Sequence, residues 1–243
     1  MREVDELKLY RGDDYVLPNG IRIKTPTLGE ICEFGEDEYM SIVSIFTATT
    51  IDRCAQLDDW GIDYTQISNF QMFCMFTQIL TPDKIKLFFD DIDFSKMKPI
   101  NKDGKVFLTD SQHNIFGEDD YEEASAYIRK MNGIAPPKYT HVTNEFAKKQ
   151  MIIDARNDAD FQRKLRAYRG KHSTYQPYVS ALVNHPYFKY NWHNVWDLKV
   201  YAFFDSLQRI SIIENANHLY TGLYSGCVEY KKVKNELDWL KPM

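Results

Sequence analysis

The chain has 243 residues, 44% hydrophobic and 14% aromatic, with a net charge of −5 and a pI near 5.7. That composition can bury a large core, in one domain or two, and excludes a disordered chain. The acidic balance argues against nucleic acid as a partner, and no run of about 18 apolar residues is present to span a membrane.

Residues 7–10 and 15–17 are short apolar runs. Pro18-Asn19-Gly20 marks a tight turn, and Ile21, Arg22, Ile23 and Lys24 alternate apolar and polar, which predicts a small β-hairpin. Thr27 with Glu30 fits a capping box, starting a helix through Phe34 that Gly35 interrupts. Tyr39, Ile42, Val43 and Phe46 fall on one face of the next helix. Residues 51–60 read as a helix ended by Gly61, residues 70–80 as a central core helix, and Pro82 as the opening of a helix through Phe89.

Around Asn101-Lys102-Asp103-Gly104 and Val106-Phe107-Leu108 the pattern predicts a second hairpin. Glu118, Asp119, Asp120, Glu122 and Glu123 then open a helix to Met131, where acids complement the helix dipole. Asn132-Gly133 closes it, and Pro136-Pro137 marks a linker. Residues 144–169, 178–183, 195–210 and 219–224 follow as helices, and Leu237, Trp239 and Leu240 offer an apolar anchor in the tail. The expected class is α+β: mainly α, with small β-hairpins in a mixed domain over 1–135, then an all-helical domain over 138–243.

The strongest pattern spans residues 195–210. Trp196, Val200, Phe203, Leu207 and Ile210 recur at steps of four, three, four and three, and Phe204 widens the stripe. Asp205 and Arg209 form a favourable i,i+4 pair, and Asn191 or Asn194 is placed to cap the start. A buried core face is the default reading. A partner-binding face built from Trp196, Val200, Phe203, Phe204 and Arg209 is the functional one.

Chemistry-bearing residues are scattered. Cys32, Cys54, Cys74 and Cys227 form no CxxC or Cys/His cluster, which favours free buried thiols over a zinc site. His113, His141, His172, His185, His193 and His218 show no i,i+4 pair, and His185 and His193 flank an aromatic loop of Tyr187, Phe188, Tyr190 and Trp192. Asp90, Asp91 and Asp93 near Lys96 are the one grouping that suggests a metal-dependent hydrolase, but the acid-x-lysine element is absent. No phosphate loop, dinucleotide fingerprint or nucleophile elbow occurs, so neither enzyme activity nor a cofactor is expected. The charged N-terminus leads into no apolar segment, so no signal peptide is expected.

The helix over 144–169 becomes purely basic beyond Asp160, with Arg163, Lys164, Arg166 and Arg169 beside Phe161, Leu165 and Tyr168. A solvated face is the default. A surface for an acidic partner is the alternative, with the acids at 118–123 as a candidate neutralising group. The high aromatic load tilts the balance towards contact surfaces.

The run Val-Trp-Asp-Leu-Lys-Val-Tyr-Ala-Phe-Phe-Asp-Ser-Leu-Gln-Arg-Ile at 195–210, followed by Tyr224-Ser225-Gly226 and Trp239, resembles the tail assembly chaperones of long-tailed bacteriophages of Gram-positive hosts. Pro-Thr-Leu-Gly-Glu-Ile at 26–31 and Phe34-Gly35-Glu36 are similar to small phage proteins. The resemblance covers about a third of the chain. It implies a helical, non-enzymatic protein of the host cytoplasm. Its partners would be the tape measure protein and the tail tube protein, and self-association stays open. The length and the α+β first half depart from that pattern and leave a structural connector or baseplate component as the alternative.

Overall fold

The computed structural model describes residues 4–90, 92–102, 104–112, 114–137, 144–169 and 172–240, apart from the side chains of Arg166 and Arg169. The chain opens with α1 (Glu6–Arg11), capped by Asp5, and the hairpin β1 (Tyr15–Val16) and β2 (Arg22–Ile23). Next come α2 (Leu28–Phe34) and α3 (Glu36–Thr47). Thr27 and Glu30 form the capping box, and Gly35 at φ +105° breaks the chain between the two helices where a side chain would be strained.

The next helices are shorter than the periodicity predicts. α4 covers Cys54–Asp59 and α5 covers Asn69–Phe76, which tightens into a 3₁₀ turn over Thr77–Ile79. α6 covers only Pro82–Ile85. Phe88 and Phe89 continue the apolar run but leave the helix to fill the core, and Phe88 gives its carbonyl to Lys24 N. A three-stranded antiparallel sheet of β3 (Lys98–Lys102), β4 (Lys105–Thr109) and β5 (Ile115–Gly117) follows. The expected hairpin is present, and β5 adds a strand too short to be read in advance. α7 (Glu118–Met131) then packs along α3.

The C-terminal half is helical: α8 (Glu145–Arg169), α9 (Tyr175–Val183), α10 (Val200–Tyr224) and the short α11 (Tyr230–Val233). The fold is thus α+β with its sheets in the N-terminal half. Three helix boundaries differ from expectation, the first being the start of α9, at Tyr175 rather than at residue 178. Residues 195–207 are not one helix: Val195–Asp197 is a 3₁₀ turn, and α10 begins only at Val200. Neither asparagine caps α10, whose N-cap position is Lys199. The cause is long-range pairing. Leu28 N donates to the Leu198 carbonyl (3.0 Å), Val200 N donates to the Pro26 carbonyl (3.0 Å), and Thr27 and Lys199 form an antiparallel bridge. These bonds hold residues 198–199 extended. At the other end, residues 219–224 are the last turns of α10 rather than a separate helix.

The main core is aromatic. Phe46, Phe70, Phe73, Phe94, Phe116 and Tyr121 interlock at ring separations such as 4.9 Å (Phe73–Tyr121) and 5.1 Å (Phe94–Phe116). Each such pair adds about 0.5–1.5 kcal/mol beyond area burial. Much of the aromatic load therefore goes to folding. Val200 joins this core from the second half, while Tyr175, Leu182, Val195 and Phe203 build a second cluster with Leu28. A third cluster, of Cys54, Leu57, Tyr64 and Met72, is covered by Ile152 and Ala155 of α8. Of the four free cysteines, Cys54 is buried and Cys74 partly so, but Cys32 and Cys227 are exposed, which corrects the expectation of buried thiols. Among the described residues, no helix is long and apolar enough to cross a membrane.

Candidate functional site

The bridge between residues 26–28 and 198–200 brings α2 alongside the 3₁₀ turn that carries Trp196. Gly29 permits the approach: a Cβ there would sit 3.1 Å from the Trp196 carbonyl oxygen. α9 lies opposite. Its N-terminus is tied to α3 by Glu36, whose carboxylate accepts from Ser173 Oγ (2.5 Å), Thr174 N (2.6 Å) and Tyr175 N (3.3 Å). Backbone N–H groups at a helix start are otherwise without partners and favour negative charge.

Between these walls lies a groove of about 580 Å³. Leu28, Ile31 and Cys32 line one side, Tyr175, Val179 and Val183 the other, and Trp192 and Trp196 stand at the rim. Trp192 is 65% exposed and Trp196 40%. Tyr187 (60%) and Tyr190 extend the exposed aromatic surface along the same loop. The Tyr175 ring stacks on Phe203 (5.9 Å) below the groove, and its hydroxyl reaches Met40 Sδ at 3.6 Å. Burial first, and then the nearby Glu36 charge, push the Tyr175 phenol far above its ordinary pKa and hold it neutral. The lining therefore offers apolar surface and aromatic rings with a few hydroxyls and amides at its edges, the composition of a hot-spot patch for a protein partner.

The five residues expected to face a partner separate here. Trp196 lies on the surface, on the turn before α10 rather than on it. Val200 and Phe203 are fully enclosed, in the first and second clusters, and expose nothing to a partner in this fold. Phe204 is half-buried against Tyr175. Arg209 is half-buried and donates from Nη1 to the Trp239 carbonyl (2.7 Å), fastening the C-terminal tail to α10. Its charge also draws on Asp205, although burial of that carboxyl outweighs it and raises the pKa. The groove walls α2 and α9 were not among the candidate residues, because neither shows a pattern beyond an ordinary core helix. The aromatic loop at 187–192 was the available signal.

The basic helix is engaged on the protein side. Lys148 pairs with Asp63 (3.0 Å), and Arg156 with Asp58 (2.7 Å) and Asp59 (2.6 Å). Two of the acids at 118–123 are engaged elsewhere: Asp120 accepts from Gly117 N, and Glu123 accepts from the Tyr15 hydroxyl. Arg163 is exposed and pairs within its own helix with Asp160 (2.9 Å), and Lys164 is exposed. The side chains of Arg166 and Arg169 lie outside the described structure.

Two members of the carboxylate grouping are engaged in ion pairs and hydrogen bonds. Asp90 pairs with Lys24 (2.6 Å), and Asp93 holds Ser95 and Lys96. Those bonds keep the Asp93 carboxyl below the usual range, against the opposing effect of burial. Asp91, His113 and His141 lie outside the described residues. Among the described residues, no three His, Cys, Asp or Glu side chains gather as metal ligands. His185 reaches Glu214 at 3.2 Å and packs beside Tyr187.

Residues 174–243 match the model of the YomV second domain, a phage-associated family. No curated protein and no solved structure matches the chain. The matched stretch begins one residue before α9 and includes Tyr175, Val179, Val183, Trp192 and Trp196, one wall and the rim of the groove. The other wall, on α2, lies outside it. A second, more open hollow of about 500 Å³ among Tyr220, Leu223, Tyr230, Leu237 and Trp239 also falls within the matched stretch.

Proposed function

We propose that the chain is a non-catalytic tail assembly chaperone of a phage, acting in the host cytoplasm and holding apolar helices of the tape measure protein in the α2–α9 groove. The observation that carries this reading is the pair of exposed tryptophans, Trp192 and Trp196, at the rim of an apolar groove that the described residues leave open. An amphipathic helix laid into such a groove is a standard recognition mode. The phage-associated family match over 174–243 and the resemblance of residues 195–210 to tail chaperones support the assignment. The face centred on Phe203 acts as the floor beneath the groove, and Trp196 is the contact residue.

Co-expression with tape measure fragments tests it. The wild-type chain should keep a fragment soluble and co-purify with it. Trp196→Asp and Val179→Asp, folded by circular dichroism, should each lose at least about tenfold in affinity, as expected for truncating a central anchor. Unchanged complex formation in both variants would sink the assignment of the groove. Recovery of the chain from purified virions by mass spectrometry would instead favour a connector or baseplate component.

A further inference from the structure

α8 has two faces. Lys148, Met151, Ile152, Ala155 and Arg156 meet the α4 region through ion pairs and apolar packing. The opposite face carries a stripe of large apolar side chains turned to solvent: Phe146 (79% exposed), Ile153 (48%), Phe161 (61%) and Tyr168 (91%). Steps of seven, eight and seven residues keep them on one side of a helix.

The stripe is symmetric about Asn157. Ile153 and Phe161 lie four residues to either side of it, and Phe146 and Tyr168 lie eleven to either side. Asn157 is itself exposed and falls on the same face. We propose that two copies of this chain dock antiparallel along the outer face of α8, with a two-fold axis at Asn157. Phe146 of each copy then meets Tyr168 of the other, and Ile153 meets Phe161, which is the reciprocal pairing a two-fold interface requires. The shared polar position at the centre sets the register, as a single buried Asn does between paired helices.

Charge selects the antiparallel direction. It places Lys164, seven residues beyond the centre and on the outer face, opposite the uncharged Gln150. A parallel pair would set that cation against its own copy. Asp154 and Asp160 meet across the centre, but each is already held in its own helix, by Gln150 (2.8 Å) and Arg163 (2.9 Å). The contact runs roughly 33 Å at the helical rise per residue and buries on the order of 1,000 Å², the lower edge of a specific interface. An interface of that size fits a reversible, concentration-dependent dimer. This inference is independent of the chaperone reading, since it uses neither groove wall.

Analytical ultracentrifugation of the full chain tests it. Wild type should pass from monomer to dimer with concentration, and Ile153→Asp and Phe161→Asp should each raise the dissociation constant at least about tenfold. Both positions are on the surface, so a circular dichroism spectrum like that of wild type shows that the fold is kept. In a background with Cys32→Ser and Cys227→Ser, Asn157→Cys should give a covalent dimer on mild oxidation and Phe146→Cys should not. A chain monomeric at every concentration, a dimer indifferent to Ile153→Asp, or cross-linking at Phe146→Cys without cross-linking at Asn157→Cys would each overturn the proposal. Loss of tape measure binding by Trp196→Asp with the dimer intact would leave it standing.

Discussion

Glu36 caps a helix that starts 139 residues after it: its carboxylate accepts from Thr174 N at 2.6 Å and from Tyr175 N at 3.3 Å. Thr174 makes no capping bond with its own side chain, and Ser173 Oγ, which donates to Glu36, accepts from Gln176 N (2.9 Å). The groove wall on α9 is therefore set from α3. Glu36→Ala should lower stability by about 1 kcal/mol, the usual cost of a lost cap. It should also raise amide exchange over residues 174–179 more than elsewhere. Uniform exchange across the chain would show that Glu36 does not position α9.

Phe203 and Trp196 should behave oppositely. Phe203 is fully buried beneath Tyr175, so Phe203→Ala should cost about 3–5 kcal/mol through the cavity it leaves. Trp196 is 40% exposed, and Trp196→Ala should cost on the order of 1–2 kcal/mol while removing partner binding. Denaturant titrations beside pull-downs separate the two effects.

Acid should release α8 late. Hydrogen bonds from Thr65, and then the Lys148 ammonium, hold the Asp63 carboxyl down at about 2. A depressed folded-state value means that the contribution is complete above the ordinary carboxylate range. It is lost progressively as the pH falls from the ordinary carboxylate value through about 2. Exchange protection over residues 148–156 should therefore be kept only in part at pH 3 in wild type. In Asp63→Asn it should already be lower at pH 7. Equal protection in the two proteins at both pH values would count against this pair as an anchor.

Alkali should act through Tyr127. Its hydroxyl lies 2.9 Å from Thr25 Oγ1 and donates to the Asp13 carbonyl (3.2 Å), and burial pushes its pKa up to about 12. With the folded value raised, its contribution is complete below the ordinary tyrosine value near 10 and is lost as the pH rises through about 12. Tyr127→Phe should cost on the order of 1–2 kcal/mol at pH 7 and flatten part of the alkaline fall in stability, read from urea midpoints between pH 8 and 12.

Local chemistry was legible in the sequence wherever it acts over a few residues. Thr27 and Glu30 make their capping box, Asn19-Gly20 turns its hairpin, Gly35 separates α2 from α3, and Tyr39, Ile42, Val43 and Phe46 face the core together. The α+β class follows from such signals. β5 escaped notice because three residues carry too little alternation to be read, and α6 fell short of Phe89 because the core claims Phe88 and Phe89.

What the sequence by itself determined is the inventory: which segments are apolar, where helices can start, and that residues 195–210 carry a stripe to be covered. Tertiary structure alone decided how that stripe is used. The Thr27–Lys199 bridge unwinds residues 198–199, so Trp196 turns out to the surface while Val200 and Phe203 sink into two different clusters. The groove itself joins residues near 30 to residues near 180 and 195. No local pattern encodes a contact across that separation, because periodicity reports which side of a helix is apolar and not which other element will cover it.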